Sequence, residues 1–147
     1  MIHFDKKKLL GEIRREEGSV IENGRHVIYK DHLGYETIGY GRLITERRGG
    51  GISEHEANLM LENDVNRVVG ELDYHLKWFS SLTDTRQRAL INMAFQLGTR
   101  GLMGFKKALR ALEKGDYRTA SIELLDSRWA VQTPERAKRM AEMILVG

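Results

Sequence analysis

Residues 20–41 read VIENGRHVIYKDHLGYETIGYG. Asn23-Gly24 is the favoured two-residue hairpin turn, set between the β-prone runs Val20-Ile21 and Val27-Ile28-Tyr29. His32-Leu33-Gly34 makes a second turn ahead of the β-prone run Tyr35–Tyr40. The stretch predicts a small antiparallel sheet over roughly 19–44.

Working outward, residues 4–17 predict one amphipathic helix, with Leu9, Leu10 and Ile13 apolar and lysines opposite. Gly18 supplies its stop. Beyond Gly49-Gly50-Gly51 everything reads helical. Ser53 and Glu56 form a capping box that opens a helix carrying Ala57, Met60, Leu61, Asp64, Val65, Val68, Val69 and Leu72 at helical spacing. Thr83 or Asp84 starts another helix, and its segment Ala89–Leu97 is apolar nearly all round, as a buried centre should be. A helix near 104–114 ends at Gly115, and another follows Asp116. Thr133-Pro134-Glu135 gives an N-cap, a proline at the first helical position and an acid in the first turn.

The fold class expected is therefore α+β. One domain over 1–147 is divided into a sheet-bearing lobe, approximately 13–60, and a helical lobe from 1–12 plus 61–147. The helix from Ser53 would connect the lobes, with a cleft at their seam.

Composition narrows the function. The chain has 147 residues, 41% hydrophobic and 31% charged, which suits neither a disordered tail nor a membrane protein. No cysteine is present, so disulfides, cysteine-based zinc sites and thiol nucleophiles are excluded, and folding in a reducing cytosol is expected. The basic N-terminus lacks a following apolar run, so no signal peptide is expected. Twenty-four Lys and Arg against 21 Asp and Glu leave +3, a mild excess that suits an anionic partner such as a cell-wall polymer.

There is no HExxH, no GxSxG and no GxxxxGK[ST]. Gly39-Tyr40-Gly41 lies in a strand-like run, where its glycines permit a sharp bend or a close backbone approach. His26 and His32 flank Asp31 and read as residues of a solvated hairpin rather than metal ligands. Carboxylates remain. Glycoside hydrolysis needs one protonated acid at the leaving oxygen and a second carboxylate for water or for attack. Glu16-Glu17 at a helix end and Asp31 in the first hairpin offer such a pair, as would many pairs among 21 acids.

Resemblance selects among them. Glu17-Gly18, then Tyr29-Lys30-Asp31-His32-Leu33-Gly34-Tyr35-Glu36-Thr37-Ile38-Gly39-Tyr40-Gly41, resembles the active-site signature of the phage-type (T-even) lysozymes, glycoside hydrolase family 24. Ile91-Asn92-Met93-Ala94-Phe95-Gln96-Leu97-Gly98 agrees independently, as does Ser127-Arg128-Trp129 with Gln132–Arg139. The resemblance implies a lysozyme-like fold and a muramidase. Such an enzyme cuts the β-1,4 bond between N-acetylmuramic acid and N-acetylglucosamine in bacterial peptidoglycan. It further implies Glu17 as general acid, Asp31 to place or activate the hydrolytic water, and Thr37 to hold that water. The family is regarded as inverting, which sets the two carboxyls ~6.5–9.5 Å apart.

By the same carry-over, Gly41, Leu43, Phe95 and Gln96 match cleft residues, and Arg136 matches an arginine reaching from the helical lobe. From the residues alone, Phe95 fits core packing equally well, and Gln96 in an apolar run needs either a hydrogen-bond partner or the cleft. Trp129 reads as core rather than sugar platform. No cofactor and no metal is expected.

The chain departs from the family in several places. Between Glu17 and Asp31 it is longer than the best-known members, and the excess around Ser19–Arg25 contains Asn23-Gly24 and lengthens a hairpin. Arg42 stands where a histidine is usual, and the matching acid is Asp64, so an Arg42–Asp64 pair is expected. Ala108 and Glu123 replace residues that contact sugar. The chain stops at Gly147 without the family's final helix, which predicts less covered apolar surface around Met140, Met143, Ile144 and Leu145, a surface that self-association through that end would cover if the monomer expected below did not hold.

The leading expectation is a monomeric endolysin, held in the host bacterial cytoplasm until a holin-type partner releases it to the wall, with no stable membrane insertion. A catalytically inactive wall-binding module of the same fold is the alternative. A nucleic-acid binder is disfavoured because cations and acids are interleaved.

Overall fold

The computed structural model describes residues 2–3 and 5–147, and Arg48 without its side chain. The chain falls into two compact units, one running to Ala57 and one over Asn58–Gly147.

In the first unit, α1 (Lys6–Glu17) starts where the Asp5 carboxylate accepts the Lys8 N–H at 3.0 Å. Phe4, which the sequence places in this helix, lies outside the described residues. Gly18, at φ 64°, ends the helix, its N–H closing on the Arg14 carbonyl at 3.0 Å. Two short antiparallel sheets follow. β1 (Ile21–Glu22) pairs with β2 (Arg25–His26), and β4 (Glu36–Ile38) lies between β3 (Tyr29–Lys30) and β5 (Arg42–Leu43). Asn23 (φ 51°) and Gly24 (φ 74°) both take positive φ, as the two-residue hairpin turn requires. The sequence pattern predicts one sheet over this region, whereas the structure has two. The β1–β2 pairing extends only to the Val27 N–H on the Val20 carbonyl, and β3 takes β4 as its partner.

A turn of 3-10 helix at Glu46–Arg48 then folds back so that the Gly51 N–H reaches the Leu43 carbonyl at 3.2 Å. Among the described residues of this unit, Thr37 alone is buried.

α2 (Glu54–His75) opens on the full capping box: Ser53 Oγ accepts the Glu56 N–H and Glu56 Oε1 accepts the Ser53 N–H, each at 3.1 Å. It runs from the first unit into the second. There α3 (Asp84–Met103), α4 (Lys106–Glu113), α5 (Tyr117–Leu125), α6 (Arg128–Gln132) and α7 (Pro134–Val146) pack into a helical bundle. α3 buries Ala89, Leu90, Met93 and Ala94, but Asn92, Phe95 and Gln96 of the same segment are exposed, so one face is covered and not the whole girth expected from the sequence. Each fully buried Leu or Met contributes about 1.5–3 kcal/mol from apolar area alone. Gly98 takes φ 77°, ψ 155°, breaking the α3 ladder into two segments. Together these elements make the α+β fold expected from the sequence.

Two expectations need correcting here. Met140 and Ile144 are buried against the bundle, and of the four residues expected to be uncovered only Leu145 is exposed. The reason is that α7 packs along α3 and α5, and Arg86 closes its end. Its Nε donates to the Ile144 carbonyl at 2.7 Å and its guanidinium lies 3.4 Å from the Tyr117 ring centroid, capping the C-terminal end of α7 with positive charge. Thr133 precedes Pro134 as expected, but its hydroxyl donates back to the Trp129 carbonyl at 3.0 Å rather than capping α7.

Candidate active site

The three-stranded sheet sets a row of side chains. Tyr29 faces Thr37 across β3–β4, and Thr37 faces Leu43 across β4–β5, so the three share one face. Asp31 follows β3 directly, and its backbone closes the loop to β4. The Asp31 N–H donates to the Tyr35 carbonyl at 2.9 Å and Gly34, at φ 84°, donates to the Asp31 carbonyl at 2.9 Å. The side chain is tied to the same loop: Asp31 Oδ1 accepts the N–H groups of Leu33 and Tyr35, both at 2.9 Å. One carboxylate oxygen is thus fixed by backbone, and Oδ2 stands outside those two bonds.

Thr37 is 3% exposed, and its hydroxyl donates to the Tyr35 carbonyl at 3.0 Å. With its hydrogen so committed, the oxygen can serve an incoming water only as an acceptor. Glu17, exposed at the end of α1, meets the β4–β5 turn. A Cβ added at Gly41 would lie 2.9 Å from Glu17 Oε2, so the backbone of Gly41, at φ 86°, forms a wall against the carboxylate.

Glu17, Asp31, Thr37, Gly41 and Leu43 line one pocket of about 570 Å³, together with Glu16, Tyr29 and Tyr35. Five residues singled out from sequence are therefore brought together, all from the first unit. Two carboxylates and a hydroxyl acceptor in one solvent-filled pocket suit general acid–base hydrolysis.

The helical unit holds the other three. Phe95, 43% exposed, and Arg136 line a pocket of about 290 Å³ with Leu61, Val65, Ile91 and Asn92. Arg136 is engaged there by Asn92, through Nε to Oδ1 at 2.8 Å and a second guanidinium nitrogen to the carbonyl at 3.2 Å. Gln96 is exposed and turned elsewhere: its Oε1 accepts Trp129 Nε1–H at 2.9 Å. Trp129 is a core residue, 4% exposed, with Phe105 edge-on at 5.8 Å. Ala108 and Glu123 both line a pocket of about 600 Å³ beside Trp129. That pocket is slightly larger than the one at Glu17, with Glu123 and Asp126 beside Lys106, Lys107 and Arg128. The pocket at Glu17 sets three acids, Glu16, Glu17 and Asp31, beside Lys30 and His32, and it is this acid-rich lining that suits hydrolysis.

Arg42 does not take the partner expected from sequence. It pairs with Glu56, NH1 to Oε2 at 2.7 Å, and also donates to the Gly51 carbonyl at 3.3 Å, while Asp64 lies 4.0 Å from Arg67. Glu56 prevails because the capping box already holds its Oε1, which leaves Oε2 for β5. Asp64 sits roughly 12 Å farther along the helix axis. Arg42 and the Ser53 N–H hold the Glu56 carboxyl well below the usual carboxylate range, at about 2. The sequence flagged Glu56 only as a helix start; its unassigned second oxygen was the available signal.

The family model described as phage lysozyme matches residues 19–142, a span that begins just after Glu17. A protein named probable T4-type lysozyme 2, from Dictyostelium discoideum, is 28% identical, the match covering 92% of each chain. The pre-baseplate central spike protein Gp5 of Enterobacteria phage T4 is 32% identical over 92% of this chain, which corresponds to 27% of that protein's length. An endolysin of Acyrthosiphon pisum secondary endosymbiont phage 1 is 27% identical, covering 88% of this chain and 81% of its own.

Proposed function

The chain belongs to the phage lysozyme family, and we propose that it is a muramidase cutting the β-1,4 bond between N-acetylmuramic acid and N-acetylglucosamine with inversion. At the coarser level it is a glycoside hydrolase of lysozyme type, acting on peptidoglycan. The observation that carries the finer reading is the shared pocket of Glu17, Asp31 and Thr37.

In this reading Glu17 protonates the leaving glycosidic oxygen. Asp31, one oxygen fixed by the Leu33 and Tyr35 amides, uses Oδ2 to take a proton from water. Thr37 accepts a hydrogen bond from the same water and turns a lone pair toward the anomeric carbon. Leu43 and Gly41 line the floor beside the sugar. The endolysin role follows from the same reading: a monomer that waits in the host cytoplasm and reaches the wall through a holin-type partner. The matched endolysin supports that role.

Product analysis tests the chemistry. Digested peptidoglycan reduced with borohydride should yield N-acetylmuramitol ends, and early proton NMR should show the α-anomer forming first. N-acetylglucosaminitol ends would refute the bond assignment, and an initial β-anomer would refute inversion.

A further inference from the structure

The turn that walls Glu17 is built from residues that need restraint. Gly39 (φ 64°) and Gly41 (φ 86°) flank Tyr40, and two glycines in three residues leave a backbone free to take many conformations. Gly41 nonetheless comes close to the acid, since a Cβ added there would meet Glu17 Oε2 at 2.9 Å. Both ends of the turn are anchored. Arg42 is held by Glu56 and the Gly51 carbonyl, and Tyr29 Oη donates to the Gly39 carbonyl at 3.5 Å.

Tyr40 carries the third anchor. The Arg14 guanidinium lies 5.7 Å from its ring centroid, and the His26 ring meets it edge-on at 5.1 Å. Arg14 stands one helical turn before Glu17 on α1, and His26 belongs to the β1–β2 hairpin that lengthens this chain. The Tyr40 ring therefore ties the glycine turn to the helix that bears the acid and to the added hairpin.

We infer that Tyr40 is a positioning residue for Glu17, and that the added hairpin acts on the reaction through His26 and Tyr40. This rests on the reading of Glu17 as the acid. The mechanism is geometric. Loosening the ring frees Gly41, the wall behind Oε2 retreats, and the carboxyl samples positions from which it cannot reach the leaving oxygen. Binding of the sugar through other residues is unaffected, so the effect falls on kcat rather than KM.

The experiment measures kcat and KM on a soluble peptidoglycan fragment for wild type, Tyr40→Ala, Tyr40→Phe, His26→Leu and Glu17→Gln. Folding is checked by circular dichroism, and the Glu17 side-chain carboxyl is followed by carbon NMR. Tyr40→Ala should lower kcat about ten- to a hundredfold with KM little changed, as a misplaced reacting group does. Tyr40→Phe, which keeps the ring, should restore wild-type kcat, and His26→Leu should fall between. The Glu17 carboxyl resonance should move in Tyr40→Ala and stay in Tyr40→Phe. If Tyr40→Ala does not fold, the His26→Leu value decides, and wild-type kcat there overturns the proposal. A rise in KM at constant kcat also overturns it, making Tyr40 a sugar contact. Retained activity in Glu17→Gln would instead remove the reading of the acid, and the proposal with it.

Discussion

Gly41 and Glu17 are in such close register that a single methyl group would part them: a Cβ at position 41 would stand 2.9 Å from Oε2 and 3.2 Å from Cδ of the glutamate. Gly41→Ala should therefore displace the carboxyl. Being at the far end of a flexible side chain, it can move, so the protein should still fold. The positive φ of 86° adds a strain of about 1–2 kcal/mol for alanine. The expected outcome is a folded variant with kcat reduced about tenfold or more, measured by steady-state hydrolysis beside thermal unfolding. Wild-type kcat would show that the close approach has no bearing on the acid.

Gly50 is a contrasting case, because its neighbour cannot give way. A Cβ there would lie 2.6 Å from the Leu43 carbonyl oxygen and 2.8 Å from the Ile44 carbonyl carbon. Gly50→Ala should cost about 1–3 kcal/mol through overpacking, read as a lower midpoint in urea with unchanged slope. An unchanged midpoint would mean that the segment after β5 is not folded onto it as described.

The Arg42–Glu56 pair sets a pH dependence of definite sign. The Glu56 carboxyl titrates at about 2 when folded, against 4.5 in the unfolded chain, chiefly through Arg42 and then Ser53. A depressed carboxyl contributes stability that is full above about pH 4.5 and is lost as pH falls toward about 2. Arginine stays protonated throughout, so the pair adds no slope between pH 6 and 8. Thermal unfolding of wild type and Glu56→Gln across pH 2–8 should show curves that converge at the acid end. Parallel curves would contradict the pairing.

Gln96 tests whether its structural bond is its main constraint. Gln96→Leu removes the acceptor of the Trp129 indole N–H, bonded at 2.9 Å, and leaves that donor unpaired beside the core. The expected cost is about 1–3 kcal/mol, or about 2–4 °C in Tm for each kcal/mol. No change in Tm would mean that solvent satisfies the indole without help.

Local signals were the legible ones. Asn23-Gly24 fixed its hairpin because both positions need positive φ, and Ser53 with Glu56 marked the start of α2 because the capping box is complete within four residues. Asp31, Thr37, Gly41 and Leu43 could be named from motif and lie together in one pocket with Glu17. Partners distant in sequence were not legible. Arg42 could meet any acid along one helix, and only the capping box decides for Glu56. Nothing local in the sequence marks Arg86, yet it is buried where α7 ends against it. Gly98 directly follows the apolar run Ala89–Leu97, whose helical spacing gives no sign of the break. The division of the strands into two sheets likewise depends on which strand each edge finds, which propensity does not encode.

The most direct test of the central claim is the clearing of purified peptidoglycan by wild type beside Glu17→Gln, with both shown to be folded by circular dichroism. The account predicts that wild type clears the suspension while folded Glu17→Gln loses activity by a factor of about 10²–10⁴. Clearing by Glu17→Gln at the wild-type rate would contradict it.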